Sequence, residues 1–189
     1  MYTEGLWDIV DDADRGQWAY VPMESVGPLR FGMSVGEAAA RMAEAGFSGY
    51  VAETWVWGKG REQQKAVFRK TEGREPYQTD VSAYSVEGIG LTCVVVDGLS
   101  GPQVTFDGMR LIGRVPSQLI DELGEYLRER DMGFTFTPHG DIANQELGFM
   151  PSVQRAGDIL VTRAVFARPD DRVVHTMDDI IPGEVWGHY

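Results

Sequence analysis

The sequence predicts an α+β protein of two pseudo-repeated units, each a helix packed on an antiparallel β-sheet. Three observations predict it. Residues 26–47, VGPLRFGMSVGEAAARMAEAGF, carry a short strand, a Gly-Met turn and an amphipathic helix that stops at a glycine. A looser copy of that order begins near Val104 and also ends in Gly-Phe, at Gly133-Phe134. After each helix come apolar runs of strand length separated by turn residues, the pattern of an antiparallel meander. The chain therefore divides into an acidic N-terminal segment (1–25), a first unit (26–98), a second unit (99–168) and an acidic tail (169–189).

Residues 1–20 set Glu4, Asp8, Asp11, Asp12 and Asp14 among Leu6, Trp7, Ile9, Val10 and Trp18, and a short helix is expected over 6–14. The aspartates do not complete a Ca²⁺ loop, because Val10 stands at the first ligand position and Gly16 falls one place late. Pro28, Leu29 and Phe31 suit a short strand, and Gly32 can take the positive φ that turns it into a helix. Ser34 and Glu37 have capping-box spacing. Val35, Ala38, Ala39, Met42 and Ala45 recur at helical spacing, and Gly46 ends the helix as a left-handed residue. Strands are expected over 50–57 and 65–70, then over 84–86 and 89–96 around a Glu87-Gly88 turn. The LSGP stretch at 99–102 makes a joint. Short strands over 104–106 and 109–112 lead to Pro116, well placed in a helix's first turn. Leu119, Ile120, Leu123, Tyr126 and Leu127 form that helix's apolar stripe, and Gly133 ends it. Strands over 134–137, 147–153 and 159–168 follow, with turns at 139–141 and 157–158.

The charge balance is the unusual feature: 17 basic against 29 acidic residues, a net charge of −12 and a pI near 4.6. A surface of that sign repels nucleic acid and anionic membrane and favours a cationic partner, or serves solubility alone. The single cysteine, Cys93, excludes an internal disulfide and lies in an apolar run as a buried strand residue. The N-terminus has no basic start followed by an apolar core, and no run approaches the ~18 apolar residues of a membrane span. A cytoplasmic protein is expected.

Catalytic signals are few. His139 with Asp141 or Asp158 would make a histidine–carboxylate pair for a small hydrolase-like enzyme, and His175 precedes Asp178 and Asp179. Ser100 sits in GLSGP, where Pro102 replaces the glycine that a nucleophile elbow needs. Gly58-x-Gly60 and Gly88-x-Gly90 lack the third glycine of a dinucleotide loop, and no Walker motif, HExxH or cysteine pair occurs. No metal or cofactor is expected. The aromatic residues carry more: Trp55 and Trp57 alternate onto one face of a strand, where they either pack inward or present a binding hot spot. The residues expected to meet a partner are Trp55, Trp57, Asp11, Asp12, Asp14, Asp178, Asp179 and Glu184. A small-ligand-binding module is the remaining alternative.

The segment LRFGMSVGEAAARMAEAGF resembles a hydrophobic–GM–Ser–x–x–Glu–helix–Gly segment of actinobacterial repeat proteins. Their αβ units look like those of β-lactamase inhibitory proteins and small outer-membrane assembly lipoproteins. Gly108-Met109-Arg110-Leu111-Ile112-Gly113 before the second helix, and Glu146-Leu147-Gly148-Phe149 before the last strands, look like actinobacterial immunity-like proteins. The resemblance covers about residues 26–168. It implies a protein-binding scaffold without catalysis, and together with the acidic charge it leads to the expectation of an immunity- or inhibitor-type protein that neutralises a basic partner such as a toxin. Secreted inhibitors of this kind carry an export signal and disulfides, so the member expected here is an intracellular one.

Overall fold

The computed structural model describes residues 5–57, 60–70, 78–137, 140–170 and 177–186. In place of the helix expected over 6–14 the chain makes only a 3-10 turn at Asp12–Asp14, after which Arg15 is extended. Aspartates are weak helix formers away from a cap, and Arg15 is drawn inward instead of continuing a turn. A strand the sequence did not signal, β1 (Gln17–Val21), follows, then β2 (Ser25–Val26) and β3 (Leu29–Arg30). Helix α1 (Val35–Glu44) leads into β4 (Phe47–Trp57), β5 (Arg61–Lys70), β6 (Val81–Val86) and β7 (Gly90–Val96). The second half adds β8 (Gln103–Phe106), β9 (Met109–Arg110), α2 (Pro116–Glu129), β10 (Thr135–Phe136), β11 (Ile142–Ala143), β12 (Phe149–Ala156) and β13 (Ile159–Ala167). A short α3 (Met177–Ile180) and a 3-10 turn, Gly183–Trp186, close the described chain.

The α+β class holds, and strands of both halves enter both large sheets. One sheet has the order β3-β2-β1-β8-β9, with β1 and β8 parallel from Gln17↔Gln103 to Ala19↔Thr105. The other, antiparallel throughout, has the order β12-β13-β7-β6-β5-β4, and the halves meet where β13 pairs β7. A separate hairpin joins β10 to β11.

Local chemistry explains the helices. In α1, Ser34 Oγ accepts from the Glu37 N–H at 3.2 Å while Glu37 Oε2 accepts from the Ser34 N–H at 2.9 Å, closing the capping box. Gly46 takes φ +84° just past the helix. Ala38 and Met42 are buried, but Ala39 and Ala45 face solvent, so the apolar stripe is narrower than its spacing predicts. In α2, Pro116 opens the helix, and Leu119, Leu123 and Leu127 are fully buried.

These helices and the five-stranded sheet cover one face of the six-stranded sheet, where Phe68, Ala83, Val94, Ala164 and Phe166 join the main core. The opposite face carries Tyr84, Cys93, Met150 and Val165 beneath Met177, Ile180, Ile181 and Val185. Both faces of β7 are therefore buried, which accounts for its nearly unbroken apolar run.

The joint between the halves is tied by a buried cation. Arg15, 6% exposed, donates to the carbonyls of Gly98 and Leu99 at 2.9 Å each, of Gly101 at 2.5 Å and of Val10 at 3.1 Å. Asp97 Oδ1 accepts from the N–H groups of Leu99 and Ser100, both at 2.9 Å, and Gln154 Nε2 donates to Oδ2 at 2.6 Å. Gly101 lets the turn close, since a Cβ there would lie 2.6 Å from the Asp97 carbonyl oxygen. Replacing Arg15 with Met orphans these acceptors at about 1–3 kcal/mol each. Urea denaturation of Arg15→Met should therefore show a loss of at least about 3 kcal/mol, with refolding to a looser joint and not to a new fold.

Candidate functional site

Two of the residues expected to meet a partner come together on the outer face of the six-stranded sheet. Trp55 is half-buried and meets Tyr84 edge to face, with ring centroids 6.4 Å apart. The Tyr84 hydroxyl donates to Glu184 Oε1 at 2.5 Å, and Lys65 Nζ lies 2.8 Å from the same oxygen and 3.9 Å from Glu53 Oε1. Lys65 and Tyr84 are directly opposite in the β5–β6 ladder, so register alone aims both at the final turn. Arg163 donates through Nη2 to the Val185 carbonyl and through Nε to Ser152 Oγ at 3.3 Å. These bonds clasp the C-terminal segment onto the sheet. A polar cavity of about 390 Å³ opens beside them, lined also by Asp80, Asp97 and Gln154.

Burial and hydrogen bonding shift the ionisable groups of the clasp. Burial works against ionisation of Glu184, but the hydrogen bonds from Lys65 and Tyr84, with the charges of Lys65 and Arg163, outweigh it and draw the carboxyl below its ordinary value. Burial, then the bond to Glu184, pushes the Tyr84 phenol far above its usual range, and burial does the same to the Cys93 thiol. Desolvation lowers the Arg163 pKa, opposed by the surrounding negative groups. At neutral pH neither phenol nor thiol supplies a base or nucleophile.

The remaining expected residues lie elsewhere. Asp12 Oδ1 accepts from Gln103 Nε2 at 2.5 Å, and Oδ2 pairs with Arg110 at 2.6 Å. The Gln103 bond holds its carboxyl below the ordinary value, against some desolvation, with Arg110 adding to the effect. Asp11 and Asp14 are exposed on the same N-terminal turn, and Asp178 and Asp179 are exposed on α3. Trp57 extends β4 at its end, but its side chain lies outside the described residues, as do His139 and His175. Asp141 is buried near the β10–β11 hairpin, and Asp158 is exposed in the β12–β13 turn. Among the described residues no group of three or more His, Cys, Asp and Glu side chains is placed to hold a metal ion. No described helix is long and apolar enough to cross a membrane.

A second surface escaped the sequence reading. Phe134 and Phe136, 52% and 66% exposed, stand edge to face with centroids 5.5 Å apart. Phe134 forms one wall of a groove of about 670 Å³ against α2, with Ile120, Met132 and Ile142 as its apolar lining and Asp121, Glu125 and Asp131 among its polar residues. The available signal was a Phe-x-Phe alternation in a stretch bounded by Gly133 and Pro138, too short to bury two aromatic rings.

No protein-family model, curated protein or solved structure matches this chain.

The clasp has a pH signature. A depressed carboxyl pKa contributes stability that is complete above the unfolded value, near 4.5, and is lost as pH falls through the folded value. The Glu184 side chain is 41% exposed, so solvent screening holds its contribution to about 1 kcal/mol. Glu184→Gln should be less stable than the native chain at neutral pH, and the difference should shrink below pH 4.5 in urea titrations. Beside the clasp, Gln63 opposes Trp55 in the β4–β5 ladder, is buried, and has no hydrogen-bond partner on either amide atom among the described residues. An unsatisfied buried polar group costs about 1–3 kcal/mol, so Gln63→Met should raise the unfolding midpoint.

Proposed function

We propose that this chain is a non-catalytic protein-binding protein of the immunity or inhibitor type, which neutralises a basic protein partner such as a toxin inside the cell. One observation carries the reading. The chain carries a net charge of −12, and Asp11, Asp14, Asp178 and Asp179 all face solvent. Other carboxylates, Asp12 and Glu184 among them, form ion pairs and hydrogen bonds within the fold. Such a field speeds encounter with a cationic protein and repels the phosphates of nucleic acids and anionic lipids. The protonated states of Tyr84 and Cys93 support a binding role over a catalytic one. The shared order of short strands, helix, glycine and antiparallel strands supports reading the halves as copies of one unit.

Immobilised protein exposed to host lysate at low salt, then washed at high salt, tests the proposal. A single basic protein should be retained and then released, and its association rate should fall at least about tenfold between the two salts. Failure to retain any specific partner, or retention indifferent to salt, overturns it.

A further inference from the structure

The floor of the groove beside α2 is a glycine that the fold does not itself require. Gly124 sits in the middle of Pro116–Glu129, where glycine is the poorest helix former after proline. A Cβ added there meets no atom within 4 Å, and the backbone is not in the left-handed region that would demand glycine. Ile120, Gly124 and Arg128 form one i, i+4 row, so the glycine leaves a gap in the ridge along this flank of the helix. Phe134 stands opposite, braced by Phe136, with Met132 and Ile142 between wall and helix.

The geometry points to an amphipathic, basic helix of a protein partner as the occupant of this groove. The inference rests on the proposed function and gives it a place and a partner chemistry. An apolar ridge would settle over Gly124 against Phe134, and lysines or arginines flanking it would face Asp121, Glu125 and Asp131. Arg128, the one cation lining the groove among the described residues, lies 3.8 Å from Glu125, so the described rim keeps a negative balance. A helix fits better than an added strand because β10 spans only Thr135–Phe136 and offers too short an edge. The α2 residues that line the groove, Ile120 to Arg128, span ~12 Å, enough for about two turns of a facing helix.

The test uses a fluorescent peptide of about fifteen residues, with Leu at i, i+3, i+4 and i+7 and Lys elsewhere, and a mirror peptide with Glu in place of Lys. The full chain is compared with Gly124→Leu, Phe134→Ser and the double variant Glu24→Gln/Glu44→Gln, which removes two exposed carboxylates away from the groove. The native chain should bind the Lys peptide and not the Glu peptide. Gly124→Leu and Phe134→Ser should each weaken binding by at least ~10-fold, and the remote double variant by no more than ~2-fold. Gly124→Leu should melt no lower than the native chain, since leucine is the better helix former, which separates a filled groove from a damaged fold. Equal affinity across all variants would mean simple attraction to an acidic surface and would overturn the inference, as would no binding by the native chain. If a basic lysate protein is captured equally by the native chain and Gly124→Leu, the groove assignment fails while the binding function stands. If the native chain captures none, the binding function fails.

Discussion

A guanidinium buried among backbone carbonyls is the interaction on which the arrangement of this chain depends. Arg15 reaches the turn that carries the chain from β7 into β8, and its donors meet the carbonyls of Gly98, Leu99 and Gly101. Burying a charge is tolerable only when every donor finds an acceptor, and a tight turn rich in glycine presents several carbonyls to one planar group. The Asp97 carboxylate caps the turn's N–H groups from within, so both polarities of the backbone are satisfied. Once this turn is held, β8 lies parallel to β1 and β7 is free to pair with β13. The two halves thereby share sheets in place of standing side by side.

That sharing decides which surfaces remain for a partner. The C-terminal segment covers the outer face of the six-stranded sheet, with Lys65, Tyr84 and Arg163 holding it through Glu184 and the Val185 carbonyl. Trp55 is half-buried at that cover, so its ring serves packing as well as surface. Among the described residues, none covers the flank of α2 in that way. Its apolar side chains stay open beside carboxylates, the combination on which the proposed docking of a cationic, amphipathic segment rests.

Much of the local structure was legible because local rules wrote it. The Ser34–Glu37 box, Gly46, Pro116 and the Leu119–Leu123–Leu127 row each act within one or two turns of chain, and the helices stand where those residues put them. The strands expected over 65–70, 89–96 and 159–168 were visible for the same reason, although the first of them begins four residues earlier, at Arg61. What could not be read is what depends on distant partners. Nothing near Gln17–Val21 announces that a strand 86 residues away will pair with it in parallel. Arginine is a surface residue by default, so the burial of Arg15 has no local signature. The face of β4 taken by Trp55 is covered by residues 177–186, a stretch without periodicity. Phe134 and Phe136 alternate like any strand, and only the brevity of β10 leaves them exposed. Gly124 was in plain view, a glycine mid-helix, but its emptiness becomes meaningful only once its neighbours are placed.

Backbone hydrogen exchange with and without the Leu/Lys peptide tests the central claim most directly, because it reports where binding occurs and not merely that it does. The account predicts slowed exchange confined to α2 and to residues 132–136, with the 177–186 segment and the Asp12–Asp14 turn unchanged. Protection spread evenly over the acidic surface, or centred on the C-terminal segment, would contradict it.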